Sequence, residues 1–70
     1  MDTTRLQVER LTENAEAIRQ RLRGEPGIGR VLVRPDRGVV YIRHSRAKMP
    51  RERILEIVAE SGLEARVLGR

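Results

Sequence analysis

A predicted β-hairpin in the middle of the chain places the strongest constraint on the fold. Two runs rich in β-branched residues, 28–34 and 39–43, are separated by Pro35-Asp36-Arg37-Gly38. Proline and aspartate favour a type I turn at this point, and Gly38 can adopt the positive φ that closes it. The chain must therefore build its sheet around two adjacent antiparallel strands.

A helical pattern precedes the hairpin. Between residues 13 and 23, Ala15, Ile18 and Leu22 recur at helical spacing, and Thr12 is placed to cap the first turn. A glycine and a proline follow soon afterwards, and neither residue type continues a helix. The sequence therefore predicts a helix that ends shortly before the hairpin.

A second helix is predicted after the hairpin. Pro50 suits its first position, because the N–H that proline lacks would have no partner there. The helix extends to about Ser61, and Gly62 is typical of the residue that ends a helix. Its broad apolar face comprises Ile54, Leu55, Ile57, Val58 and Ala59.

Short alternating segments at 6–8 and 65–68 predict the first and last strands. The order βαββαβ with right-handed crossovers is an α+β, ferredoxin-like sandwich, in which both helices cover one face of a four-stranded antiparallel sheet. Seventy residues leave room for one domain, which we expect to span residues 1–70. The covered face should carry Leu6, Val8, Val31, Val33, Val40, Ile42, Ala65 and Val67, meeting Ala15, Ile18, Leu22, Ile54, Ile57 and Val58 of the helices.

The other face of the sheet is predicted to be open to solvent. By alternation it carries Arg5, Gln7, Arg30, Leu32, Arg34, Val39, Tyr41, Arg43 and Arg66. We interpret six of these residues as a partner-binding face, an exposed apolar cluster within a ring of arginines: Leu32, Val39 and Tyr41 inside Arg30, Arg34 and Arg43. Strand propensity alone is an equally good explanation for the valine and the tyrosine.

The composition excludes several classes of protein. The chain has no cysteine, so it has neither disulfides nor a thiolate metal site, and it suits a reducing compartment such as the cytoplasm. Its apolar runs are far shorter than the roughly 20 residues of a membrane span. The formal charge of +5 suggests an anionic partner, such as nucleic acid, an acidic protein or lipid headgroups, although alternating Arg and Glu are more typical of solvated helix faces.

Four segments, at 6–9, 22–31, 37–42 and 54–64, together resemble the heavy-metal-associated domain. This is the fold of small copper chaperones and of the N-terminal modules of heavy-metal P-type ATPases. The resemblance covers nearly the whole chain, and it implies a non-enzymatic role in metal transport or homeostasis.

The metal loop of that family is not present in this sequence. The family binds copper(I), zinc or cadmium through the two thiolates of a G-M-x-C-x-x-C loop after the first strand, whereas residues 10–16 here read Arg-Leu-Thr-Glu-Asn-Ala-Glu. Counting forward from Val8 places Glu13 and Glu16 at the cysteine positions, but counting back from the helix places Leu11 and Asn14 there. The resemblance therefore implies a degenerate member with a shortened loop and no soft-metal ligands.

A few residues remain as weak candidates for a metal site. Glu13 and Glu16 are one helical turn apart and offer oxygen ligands to a hard cation, but acidic residues in a first helical turn are also favoured by the helix dipole. His44 is the sole histidine; alternation turns it toward the covered side, which favours packing over a metal or pH-switch role. Met49 is expected to cap the core.

No catalytic or cofactor-binding pattern emerges. Gly27-Ile28-Gly29 leaves a helix and enters a strand, the reverse of a phosphate-binding loop. Neither Ser45 nor Ser61 has a defined base and a third member beside it in the sequence. We therefore expect no enzyme activity and no cofactor.

Two functional hypotheses follow. The first is an interaction or regulatory module of metal homeostasis, either alone or as a transporter domain, which binds a protein partner or forms a homodimer through the open face. The second is a nucleic-acid-binding module that uses the same face, although base stacking normally uses several aromatic residues and Tyr41 is the only one in the chain.

Overall fold

The computed structural model describes residues 1–69 and confirms the predicted fold class. Its elements, in chain order, are β1 (Asp2–Val8), α1 (Leu11–Arg23), β2 (Ile28–Arg34), β3 (Val39–His44), α2 (Arg51–Glu60) and β4 (Ala65–Val67). None of the helices within residues 1–69 is long and apolar enough to cross a lipid bilayer.

The strands form one antiparallel sheet in the order β2-β3-β1-β4. β1 and β3 are therefore central, and their pairing runs from Asp2 opposite His44 to Gln7 opposite Val39. Both helices lie on one side of this sheet and contribute to a single apolar cluster with it. This arrangement leaves the opposite side of the sheet without a helical layer.

The hairpin between β2 and β3 is closed as the sequence predicted. The N–H of Arg37 donates to the Arg34 carbonyl at 3.1 Å, and that of Gly38 donates to the Pro35 carbonyl at 3.2 Å. Gly38 has a φ of 69°, in the left-handed region that favours glycine. Its carbonyl accepts from the N–H of Val8 at 2.9 Å, so the turn also anchors the end of β1.

β1 is longer than the predicted segment 6–8. It starts at Asp2, because the central position of the strand gives residues 2–5 backbone partners along β3. Thr4 was not predicted on the covered face, but it lies opposite Ile42 and is 2% exposed. The polar composition of this segment conceals its strand character.

α1 begins two residues before the predicted start. Thr12 lies inside the helix and is not its cap; the capping position is held by Arg10, with φ 55° and ψ 37° and no side-chain capping bond. The Asn14 side-chain amide donates to the Arg10 carbonyl at 2.8 Å. Leu11, the first helical residue, is buried in the core, and this burial accounts for the earlier start.

The other boundaries differ from the predictions by about one residue. Pro50 precedes α2 in an extended conformation, with φ −68° and ψ 158°, and is the capping residue rather than the first helical one. β3 extends to His44, and β4 ends at Val67. These shifts move no residue between the two faces of the sheet.

The core lies between the helices and the covered face of the sheet. Most of the predicted core residues are found there, together with Leu11 and Leu63, which were not predicted. Val31, Val33, Ala65 and Val67 are only half-buried, because β2 and β4 are the edge strands. Ala15 is likewise half-buried. The buried apolar cluster comprises Leu6, Val8, Leu11, Ile18, Leu22, Val40, Ile42, Met49, Ile54, Ile57, Val58 and Leu63.

Candidate functional site

The connection between β1 and α1 occupies the place of the expected metal loop. It consists of Glu9 and Arg10 alone, since β1 ends at Val8 and α1 begins at Leu11. At this end of the fold Arg10 has a left-handed backbone conformation, and the next residue, Leu11, is buried. The connection presents a guanidinium at the surface and offers no sulfur ligand.

Glu13 and Glu16 both lie on the exposed surface of α1. The Glu16 carboxylate accepts hydrogen bonds from Arg19 Nη2 at 3.0 and 3.1 Å and from Gln20 Nε2 at 3.0 Å. The hydrogen bonds from Gln20 and Arg19 lower the pKa of this carboxyl below its ordinary value. A cation at Glu16 would have to displace these donors, and no three His, Asp or Glu side chains within residues 1–69 converge as a metal site would require.

His44 is buried at 2% exposure, and both of its ring nitrogens are engaged. Nδ1 is 2.7 Å from the Met49 carbonyl oxygen, and Nε2 is 2.8 Å from the Thr4 hydroxyl. Because a carbonyl oxygen can only accept, Nδ1 carries a proton, and in the neutral tautomer with this proton Nε2 accepts from the Thr4 hydroxyl. The ring therefore packs on the covered side of the sheet, where alternation predicted it, with both nitrogens in hydrogen bonds.

The open face is defined here as the surface of the sheet opposite the helices. The strand register arranges its side chains in three cross-strand rows. From β2 toward β4 they are Arg34-Val39-Gln7-Arg66, Leu32-Tyr41-Arg5 and Arg30-Arg43-Thr3. These rows include all nine residues that alternation predicted for this face, together with Thr3.

The apolar part of the open face is smaller than predicted. Leu32 is 44% exposed and Tyr41 is half-buried, but Val39 is buried at 9% exposure, so the expectation that Val39 is exposed was wrong. Val39 lies on a central strand between the longer side chains of Gln7 and Arg34. Alternation identifies the face of the sheet, but it does not indicate how neighbouring strands cover a short side chain.

The charge of the open face is entirely positive. Its rows include no aspartate or glutamate. The face carries five arginines, all exposed: Arg5, Arg30, Arg34, Arg43 and Arg66. Within residues 1–69, the one ion pair made by these arginines is a long contact of 3.9 Å between Arg34 and Asp36 of the turn. Arg66 instead donates to the side-chain oxygen of Gln7 at 2.9 Å.

Several arginines elsewhere in the molecule are paired with acidic residues. On the helical side, Arg19 pairs with Glu16 at 3.0 Å, and Arg53 contacts Glu56 at 3.1 Å and Glu60 at 3.4 Å. These hydrogen bonds to Glu56 and Glu60 raise the pKa of Arg53. Arg21 pairs with both Glu25 and Glu60, and Arg46 pairs with Asp2 at 2.6 Å. Acidic residues thus offset several arginines on the helical side, whereas the rows of the open face contain no acidic residue.

The predicted partner-binding face omitted Arg5 and Arg66. Alternation places both on the open face, and the strand order joins them to the predicted six, because β1 lies beside β3 and β4 lies beside β1. Arg5 is the direct cross-strand neighbour of Tyr41. The positive surface therefore extends from one edge of the sheet to the other.

Comparison with known proteins identifies solved structures of the same fold. No family model matches the chain, and no curated protein matches it by sequence. A copper-binding domain from HMA7, a P-type ATPase, superposes with a TM-score of 0.91 at 17% identity, covering 99% of this chain and 96% of that one.

Two further structures agree. Oxidised MerP from Ralstonia metallidurans CH34 gives a TM-score of 0.90 at 16% identity, with 97% of each chain covered. The N-terminal domain of PacS from Synechocystis PCC6803 gives 0.83 at 22% identity, covering 99% of this chain and 100% of that one. The chain therefore has the fold of the heavy-metal-associated domains, as its sequence segments predicted, and it has this fold without any cysteine.

Proposed function

We propose that this chain is a non-enzymatic, cytoplasmic interaction module of heavy-metal homeostasis. It binds a protein partner, such as a transporter domain, and has no soft-metal site of its own. The observation that carries the proposal is the combination of a heavy-metal-associated fold along almost the whole chain with a two-residue connection, Glu9-Arg10, in place of a metal loop.

The chemistry of the available ligands supports the absence of a soft-metal site. Copper(I) and similar ions select thiolate and thioether sulfur, and the chain has no thiolate. The core methionine, Met49, is buried at 3% exposure, and the nitrogens of His44 are occupied by hydrogen bonds. Binding a metal at either residue would require the core to open.

The arrangement of the nucleophiles supports a non-enzymatic role. The Ser61 hydroxyl donates to the Ile57 carbonyl at 3.3 Å, and the Ser45 hydroxyl accepts from the N–H of Lys48 at 3.4 Å. The sole histidine is committed to Thr4 and Met49. Nucleophilic catalysis needs a base bonded to the serine, and the recorded bonds of these hydroxyls within residues 1–69 are to backbone groups.

The test of the proposed function is a competition for copper(I). The purified chain is titrated into a complex of copper(I) with a chromophoric chelator, and absorbance reports any metal withdrawn. We expect no withdrawal, whereas the copper-binding domain from HMA7, as the positive control, should remove copper under the same conditions. A stoichiometric copper complex of this chain that survives the chelator would overturn the proposal.

A further inference from the structure

Arg30 and Arg43 are directly opposite each other on adjacent strands of the open face. Like charges in such a cross-strand pair destabilise a sheet, and both side chains are exposed with no carboxylate partner within residues 1–69. On the third strand of the same row stands Thr3, which is neutral. The strand pairing therefore keeps two like charges side by side, and an external anion bound between them would reduce their repulsion.

Arg5 adds a third positive charge to the open face. It lies on the neighbouring row, beside Tyr41 and two residues along β1 from Thr3. Guanidinium groups bind carboxylates through paired hydrogen bonds in a planar geometry, which gives them more specificity than a diffuse charge has. The sheet holds the backbones of these arginines in register and so fixes the spacing of their anchoring points.

An apolar contact is available beside these arginines, on β2 and β3. Leu32 is 44% exposed and lies in the same row as the half-buried Tyr41 and the exposed Arg5. Exposed apolar and aromatic side chains with arginines at their edge are typical of the central contacts of protein interfaces. The surface thus provides both an anchor and a charged rim.

We propose that the open face binds an acidic segment of a partner protein. Carboxylates of the segment pair with Arg5, Arg30 and Arg43, and an apolar side chain between them contacts Leu32 and Tyr41. This inference rests on the proposed function, which it deepens by naming the surface and the chemistry of the partner.

Charge complementarity favours this occupant over the alternatives. A second copy of the chain docked by the same face would bring five exposed arginines against five more. A nucleic acid would satisfy the arginines but not the aliphatic Leu32, and single-stranded RNA is normally stacked on several aromatic residues, where this face offers only Tyr41. An acidic polypeptide satisfies both parts of the surface.

The test uses the whole chain and a short fluorescein-labelled peptide. In this peptide glutamates alternate with neutral residues, and the central neutral residue is a leucine. Fluorescence anisotropy measures the affinity at physiological salt. The matched variants are Arg30→Gln with Arg43→Gln on the open face, and Arg19→Gln with Arg53→Gln on the helical side, which change the net charge equally. Circular dichroism confirms that each variant folds, and the Nε–H signals of the arginines in NMR spectra report which side chains meet the peptide.

We expect the open-face double variant to bind the peptide about tenfold more weakly and the helical double variant to bind within about twofold of the original chain. Leu32→Ser should weaken binding without any change in charge. Equal losses of peptide affinity in both double variants would show that only the net charge matters, and this would overturn the proposal. No binding of the peptide by the original chain would overturn it as well.

Two further outcomes would also overturn it. A single-stranded oligouridine of the same charge that binds more tightly than the peptide would assign the face to nucleic acid. Self-association of the original chain that is abolished by Leu32→Ser would assign it to a second copy. Failure of the peptide test leaves the copper competition unaffected, so the two proposals are separately testable.

Discussion

The Thr4 hydroxyl and the Nε2 atom of His44 are joined by a hydrogen bond of 2.8 Å in the buried layer beneath the helices. The two residues are 40 positions apart in the chain and lie on the central strands β1 and β3. Together with the bond from Nδ1 to the Met49 carbonyl, this contact satisfies the one buried imidazole of the core.

We therefore expect Thr4→Val to destabilise the fold. The substitution preserves shape but leaves Nε2 buried without a donor, a loss of about 1 to 3 kcal/mol in the free energy of unfolding. Urea denaturation measures it, with Thr3→Val, on the exposed side of the same strand, as the matched control. Equal effects of the two substitutions would contradict the assigned hydrogen bond.

Leu11→Ala should be strongly destabilising. Leu11 is the first residue of α1 and is 2% exposed, so truncation leaves a cavity in the core and costs about 2 to 5 kcal/mol. Leu55→Ala on α2, at a half-buried position, should cost clearly less. A mild effect at Leu11, measured by thermal or urea unfolding, would mean that this leucine belongs to an open loop.

Substitution of Val39 should destabilise the fold more than substitution of Leu32. Alternation alone places both residues on the exposed face and predicts no such difference. Val39→Ser removes a buried apolar group and introduces a hydroxyl, which we expect to cost about 2 kcal/mol, whereas Leu32→Ser should cost less than about 1 kcal/mol. Urea denaturation of both variants makes the comparison. A larger loss of unfolding free energy for Leu32→Ser than for Val39→Ser would show that Val39 is exposed, as alternation predicted.

Gly38→Ala should weaken the hairpin. The φ of 69° is strained for any residue with a Cβ, and the expected cost is about 1 kcal/mol. Gly24 provides the control, since its φ is −80° and there is room for a Cβ, so Gly24→Ala should be neutral or stabilise by about 0.4 to 1 kcal/mol. Melting temperatures that fall for both variants would contradict this conformational explanation.

Arg30→Glu should stabilise the free chain and abolish its affinity for acidic peptide. The substitution converts a repulsive cross-strand pair with Arg43 into an attractive one, worth up to about 1 kcal/mol or roughly 4 to 8 °C in Tm for a domain of this size. Arg37→Glu, in the exposed turn, makes the same change in net charge without a cross-strand partner and is the control. The gain should shrink in high salt, because salt screens exposed charges. A lower Tm for Arg30→Glu than for Arg37→Glu would show that the pair is not repulsive.

Local signals in the sequence were enough to predict the order of the elements. The hairpin rests on a turn of four residues, and the helices on apolar spacing that needs no knowledge of their partners. Alternation also assigned His44 to the covered side and identified nine residues of the open face. These features depend on interactions between residues close together in the chain.

Tertiary structure decided the features that depend on neighbours from distant parts of the chain. Pairing with β3 made a strand of the polar residues from Asp2 to Arg5, and burial of Leu11 moved the start of α1. The side chains of adjacent strands covered Val39, and the strand order brought Arg5 beside Tyr41. The physical reason is the same in each case: burial and cross-strand charge depend on which strands become adjacent, and no local period in the sequence encodes that adjacency.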